Sequence, residues 1–145
     1  YLTWTKETEN AGDFRVSLAS STIVRVNRQE YASSDEIDLL EAFIYEPRSQ
    51  QNLTVSWSRE DHALSLFADR LGHMNMYQGK VSDPHITYNM SYSYDYSPDI
   101  DLYLSVRNLT DVMPQKDGGF GYPYYYQGVF SVFGRYASAG FNYRF

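Results

Sequence analysis

Apolar and polar residues alternate with a period of two over most of this chain, the spacing at which a β-strand turns alternate side chains to opposite faces. The longest run sets Ile86, Tyr88, Met90, Tyr92, Tyr94 and Tyr96 against Thr87, Asn89, Ser91, Ser93 and Asp95. The same pattern sets Phe14, Val16, Leu18, Val24 and Val26 against Arg15, Ser17, Ser21 and Arg25, and Leu53, Val55 and Trp57 against Asn52, Thr54 and Ser56. Further along, Ile100, Leu102, Leu104 and Val106 oppose Asp101, Tyr103, Ser105 and Arg107, and a last strand alternates Phe141, Tyr143 and Phe145 with Gly140, Asn142 and Arg144. Near Leu64 and Leu66 the parity is less regular, because Phe67 and Asp69 interrupt it. The pattern predicts seven strands, at 1–8, 13–27, 48–58, 62–72, 84–96, 100–110 and 133–145.

The connections carry a second signal. Those at 9–12, 59–61 and 97–99 are short and hold the turn residues Asn10, Gly12, Asp61, Pro98 and Asp99, whereas those at 28–47, 73–83 and 111–132 are long. Short and long alternate strictly, as in an up-and-down antiparallel sheet with short turns on one rim and long loops on the other. In the first long loop, Ser33 or Ser34 is placed to cap a helix through 35–41, with Ile37, Leu40, Phe43 and Ile44 at helical spacing. The rival is an eighth strand ending at Pro47.

Composition narrows the chemistry. The 145 residues amount to one domain or a piece of one, and the opening Tyr1-Leu2-Thr3-Trp4-Thr5 reads as the inside of a strand, so the chain is expected to start within a domain. A net charge of −6 and a pI near 4.9 leave no basic surface for nucleic acid. With no Cys, thiolate metal sites, thiol nucleophiles and disulfide scaffolds are excluded. No apolar run approaches the roughly 18 residues of a spanning helix. Aromatic residues make up 17% of the chain, and 15 of them are Tyr, whose apolar ring and polar tip suit a half-wet surface.

Strands of about 9–11 residues, apolar on one face and polar on the other, with asymmetric loops and many aromatics, describe an antiparallel up-and-down transmembrane β-barrel wall. Only a closed barrel lets strands satisfy every backbone N–H and C=O in lipid. A soluble sandwich with the greasy face inward is the alternative, and long loops on one side only fit it poorly.

Two terminal motifs carry a family resemblance. Leu104-Ser105-Val106-Arg107-Asn108-Leu109-Thr110-Asp111 resembles the penultimate strand of TonB-dependent receptors of Gram-negative outer membranes, ending in an Asn-Leu-(Phe/Thr)-Asp signature. Gly134-Arg135-Tyr136, followed by Gly140-Phe141-Asn142-Tyr143-Arg144-Phe145, resembles their closing strand, and residues 46–72 are similar to the preceding wall strands. Residues 1–45 match only in pattern. The resemblance implies the C-terminal part of a plugged barrel of about 22 strands. The plug and the energy-coupling segment are not among these residues. It also implies active import of a scarce nutrient, no enzymatic activity and no cofactor. The implied partners are outer-membrane lipid, the rest of the barrel and its plug, the TonB complex acting through the plug, the barrel-assembly machinery, and a small-molecule or glycan cargo. The long loops then face the outside and the short turns the periplasm. A self-contained eight-stranded outer-membrane barrel with an adhesive, structural or lipid-related role is the alternative.

Individual residues take roles from this frame. Asn108, Leu109, Asp111, Gly134 and Arg135 carry the motif, and parity places Arg135 on the face of Phe141 and Phe145, a poor position for a cation unless it lies at the loop rim or a bulge resets the parity. Phe141, Tyr143 and Phe145 resemble the terminal signal read by barrel assembly, whose physical sense is strand addition to an open edge. In the glycine- and aromatic-rich loop, Phe120, Tyr122, Tyr124, Tyr125 and Tyr126 are candidates for capturing a siderophore, corrinoid or glycan, with an aromatic girdle or intra-loop packing as the alternative. His62, His73 and His85 read as solvated loop residues rather than metal ligands, and no nucleophile–base pair has an informative spacing. Asn52, Asn89 and Asn108 fit the glycosylation pattern by coincidence.

Overall fold

The computed structural model describes residues 1–39 and 45–145. The fold is all-β. Seven strands form one antiparallel sheet: β1 (Leu2–Lys6), β2 (Asp13–Thr22), β5 (Ser49–Arg59), β6 (His62–Leu71), β7 (His85–Ser97), β8 (Ile100–Arg107) and β9 (Tyr136–Tyr143), paired in that order. Two-residue strands β3 (Asn27–Arg28) and β4 (Ile37–Asp38) form a separate ribbon in the first long loop. Each wall strand pairs with its predecessor in the meander, so the short turns share one end of the sheet and the long loops the other.

Register sorts the side chains into two faces. One row runs Trp4, Val16, Val55, Leu66, Met90, Val106 and Ala137 across all seven strands, and the next runs Phe14, Trp57, Leu64, Tyr92, Leu104 and Ala139. On the opposite face Ser56, Ser65, Ser91, Ser105 and Ser138 pair directly across five strands, with Ser56 and Ser65 hydroxyls 2.9 Å apart. The irregular parity expected near Leu64 does not occur. Leu64, Leu66 and Ala68 hold the apolar face, and Phe67 and Asp69 lie opposite, against Thr54 and Asn52.

No second layer in the described chain covers the apolar face. Each strand packs against no strand but its sheet neighbours, and the buried hydrophobic residues among those described, Met74, Met76 and Tyr125, all lie in the long loops. Leu18, Leu53, Leu66, Leu102 and Phe141 remain exposed. A two-layer domain places its core between sheets; here the core sits at the loop end, beside the sheet's polar side.

Several boundaries differ from expectation. β2 ends at Thr22, so Val24 lies outside the wall and is 83% exposed. β8 ends at Arg107 and β9 starts at Tyr136, because the motif residues between them form a turn and its clamp. The helix expected from Ser33 or Ser34 is replaced over 27–38 by a hairpin: Tyr31 and Ser34 close its turn, Asn27 Nδ2 donates to Glu36 Oε2, and Leu39 N–H bonds Val26 C=O at 2.7 Å. A short helix is stable only where its apolar face packs, and Ile37 is instead exposed. Leu40, Phe43 and Ile44 lie outside the described residues. The rival eighth strand does not enter the wall, since β2 and β5 pair directly from Asp13↔Ser58 to Thr22↔Ser49.

At the short-turn end, aromatic side chains gather on the apolar face. His62 stacks on Tyr94 at 4.5 Å and its Nδ1 lies 2.7 Å from the Tyr92 hydroxyl, while Tyr143 and Phe145 meet edge to face at 5.0 Å. His62 is therefore a half-buried strand residue and not a solvated loop residue.

Candidate functional site

The third long loop leaves β8 through the motif residues, and these come together. Asn108 and Asp111 both adopt left-handed backbone angles, φ 51° and 55°, and Asp111 N–H bonds Asn108 C=O at 2.9 Å. The Asn108 side chain accepts from Val112 N–H at 3.0 Å and donates to Val112 C=O at 2.9 Å. Asn suits both tasks, tolerating this backbone region and supplying a donor and an acceptor. Asp111 Oδ1 then accepts the Arg135 N–H at 2.7 Å, joining the two ends of the loop. A side chain at Gly134 would stand 2.6 Å from that oxygen, which explains the glycine. Arg135 thus lies beyond the strand, with its guanidinium toward Leu109 C=O at 3.4 Å.

The loop base is fastened to the sheet by Asp69, Asn52, Asn89 and the motif residue Asn108. Asp69 accepts from Asn52 Nδ2 at 2.6 Å and from Asn89 Nδ2 at 2.9 Å, and Asn89 Oδ1 accepts the Asn108 N–H at 2.9 Å. Three strands and the loop thereby share one polar network on the polar face.

Higher up, Asp117 ties the three long loops together. Its buried carboxylate accepts Gly119 N–H at 2.9 Å, Tyr77 N–H at 3.2 Å and the Tyr45 hydroxyl. Burial alone would raise its pKa, but these bonds and the positive charge of Lys80 outweigh it and hold the carboxyl below the ordinary value. The Tyr45 phenol moves the other way, raised by desolvation and then by the neighbouring Asp117. Tyr45 remains a neutral donor to a charged acceptor, a strong form of hydrogen bond.

The five aromatic candidates separate into three environments. Phe120 and Tyr126 pack with Tyr45, with ring centroids 4.9 and 5.1 Å from it. Tyr125 is buried, its hydroxyl 3.3 Å from Ser131 C=O and its ring edge-on to Phe130. Tyr122 and Tyr124 form an exposed edge-to-face pair, with Lys116 Nζ 5.7 Å from the Tyr124 ring. His85, at the start of β7, is half-buried with its ring against Phe130, whereas the exposed His73 places Nδ1 2.7 Å from Ser82 C=O. Among the described residues no three His, Asp or Glu side chains gather as a metal site.

Between the polar face and the third loop lies a pocket of about 600 Å³, floored by Asp69, Thr87, Asn89 and Arg107 and walled by Phe130, Phe133 and Tyr136. A smaller one of about 220 Å³ lies among the three loops near Met74, Met76, Met113 and Tyr45. The larger pocket has the size of small-molecule sites. Arg107 stands in the polar alternation and in the motif stretch 104–111, and neither distinguishes it as a pocket residue.

These features define an antiparallel meander with one uncovered apolar face and one polar face roofed by loops at a single end. No protein-family model, curated protein or solved structure matches the chain.

Proposed function

We propose that these residues form part of the wall of an outer-membrane β-barrel of the TonB-dependent receptor type, a transporter whose outer loops bind a scarce nutrient. The observation that carries this reading is the apolar face, continuous over seven strands and without a covering layer in the described chain. In water such a face is an aggregation hazard, and in a bilayer it is what a barrel wall presents. Three further features support it. Long loops lie at one end only, aromatics collect on the apolar face at the other end, and β1 and β9 do not pair with each other among the described residues, which suits a wall continued by further strands. On this reading Phe141, Tyr143 and Phe145 belong to the strand that assembly recognises, on a β9 with one edge unpaired among the described residues.

Nitroxide labels on the full-length protein in lipid test the proposal, and no native Cys in this stretch competes. A label at position 66 is expected to be reached by oxygen dissolved in the acyl chains and not by a water-soluble nickel chelate; a label at position 65 is expected to show the reverse. Chelate access at both positions overturns the wall reading.

A further inference from the structure

We propose that the pocket between the polar face and the 108–135 loop binds a small organic anion with an apolar body, its acidic group seated at Arg107. The inference rests on the wall reading, which turns this face to a wet interior.

Arg107 is the last residue of β8, directly opposite Tyr136 of β9, so their side chains stand on the same face about 5 Å apart at Cβ. The chain then turns away through the left-handed Asn108, and the loop returns over them. Among the described residues the Arg107 side chain makes no hydrogen bond or ion pair. Arg107 is exposed at the pocket's edge beside apolar walls and forms no ion pair with Asp69, the carboxylate of the same pocket, so its guanidinium is a ready partner for a carboxylate or sulfonate, which it engages through two parallel N–H donors.

The neighbouring carboxylate limits where the anion can sit. Each oxygen of Asp69 accepts one amide N–H, from Asn52 and from Asn89, which fixes this carboxylate in the floor; its charge disfavours an anion beside it, so the acidic group of the ligand is placed at Arg107 and its apolar body toward the loop walls. Leu71, Val112, Pro114 and Phe130 supply apolar walls that a free phosphate or sulfate would leave unused. At about 600 Å³ the space takes a molecule with a ring or chain attached to its acidic group.

Equilibrium dialysis tests this on the full-length protein in lipid nanodiscs, with empty nanodiscs as the blank. The probes are 2-naphthoate and its neutral analogue 2-naphthamide. The protein is expected to prefer the anion, and Arg107→Gln to weaken naphthoate by roughly ten- to hundredfold, the worth of one lost charge-assisted pair, while naphthamide changes little. Arg107→Lys is expected to retain the preference in part, which separates loss of charge from loss of the pocket. Equal binding of the two probes, an unchanged naphthoate affinity in Arg107→Gln, or no binding of naphthoate overturns the inference, the last also being the result if another part of the protein fills the pocket. Nitroxide accessibility at positions 65 and 66, measured in the same nanodiscs, shows whether the wall reading stands when the pocket does not.

Discussion

The two faces of the sheet share one backbone and differ in everything that touches them. The polar face is organised by contacts within the protein: a ladder of serines, an Asp69 network over three strands, and loops folded across one end. The apolar face carries the larger side chains, yet no layer of the described chain meets it. Alternation alone therefore does not locate a core. It states that two faces meet different surroundings, and the covering elements decide which of them meets protein.

The sharpest way to break this comparison is a charge on each face. Under the wall proposal Leu66→Arg puts a cation into hydrocarbon at about 2–4 kcal/mol at mid-depth, and Ser91→Arg on the wet face costs about 1 kcal/mol or less. In water the order of magnitude would differ, because Leu66 is already 43% exposed and surface replacements usually stay within about 0.5 kcal/mol. Denaturant unfolding of the full-length protein in vesicles measures both, and equal small costs would mean that the apolar face meets water.

Asp117 bears on the covered side of the comparison. Asp117→Ala leaves the donors of Tyr45, Tyr77 and Gly119 without their acceptor, and hydrogen bonds to charged groups contribute about 1.5–3 kcal/mol each. Part of this is recovered when water reaches the freed donors, so a loss of about 2 kcal/mol in local loop stability is expected, with the sheet unaffected. Hydrogen exchange at Tyr77 and Gly119 reads it. The pH dependence follows from the lowered pKa: the stabilising contribution is full above the unfolded value of about 3.9 and is lost as pH falls through the lower folded value. Protection at these two amides should hold from neutral pH to below 4 and then fall, and Asp117→Asn should remove that acid-dependent fall.

The uneven legibility of the chain has the same origin as the difference between its faces. Seven strands, their order and the alternation of short and long connections follow from period-two patterning and turn residues, which act locally. Strand ends were legible only within a few residues: Val24 continues the pattern, but the chain leaves the sheet at Thr22, and Arg135, included in the last expected strand, lies just before β9 begins at Tyr136. The motif residues Asn108, Asp111, Gly134 and Arg135 meet as one clamp, which their separation in sequence did not reveal. Asp117 and Arg107 were missed because their surroundings are supplied by segments distant in sequence. The helix expectation failed over its described part because residues 27–38 pair as a hairpin, in which Ile37 stays exposed.

Gly134→Ala tests how firmly the roof is held down. The new methyl group would crowd Asp111 Oδ1, a movable side-chain end whose displacement breaks the bond to Arg135 N–H. The cost is one hydrogen bond, about 1 kcal/mol, rather than a collapse of the strand. Proteolytic nicking within 112–133 should quicken while strand protection stays unchanged, and unchanged nicking would show that the loop does not depend on this clamp.

The smallest effect on stability is expected where the candidate ligand residues are most exposed. Tyr122 is 87% exposed and meets Tyr124 edge to face, whereas Tyr125 is buried and packs against Phe130. Replacing Tyr122 by Ser should shift stability by no more than about 0.5 kcal/mol, because little buried area is lost. Tyr125→Ser removes a buried ring, at a cost of about 3 kcal/mol. A rigid exposed aromatic suits ligand capture because its ring offers contact area at small entropy cost. If the outer pair takes part in capture, Tyr122→Ser lowers cargo uptake in cells while melting with the wild type. Unchanged uptake would remove Tyr122 from the capture surface and leave the ring pair as ordinary loop packing.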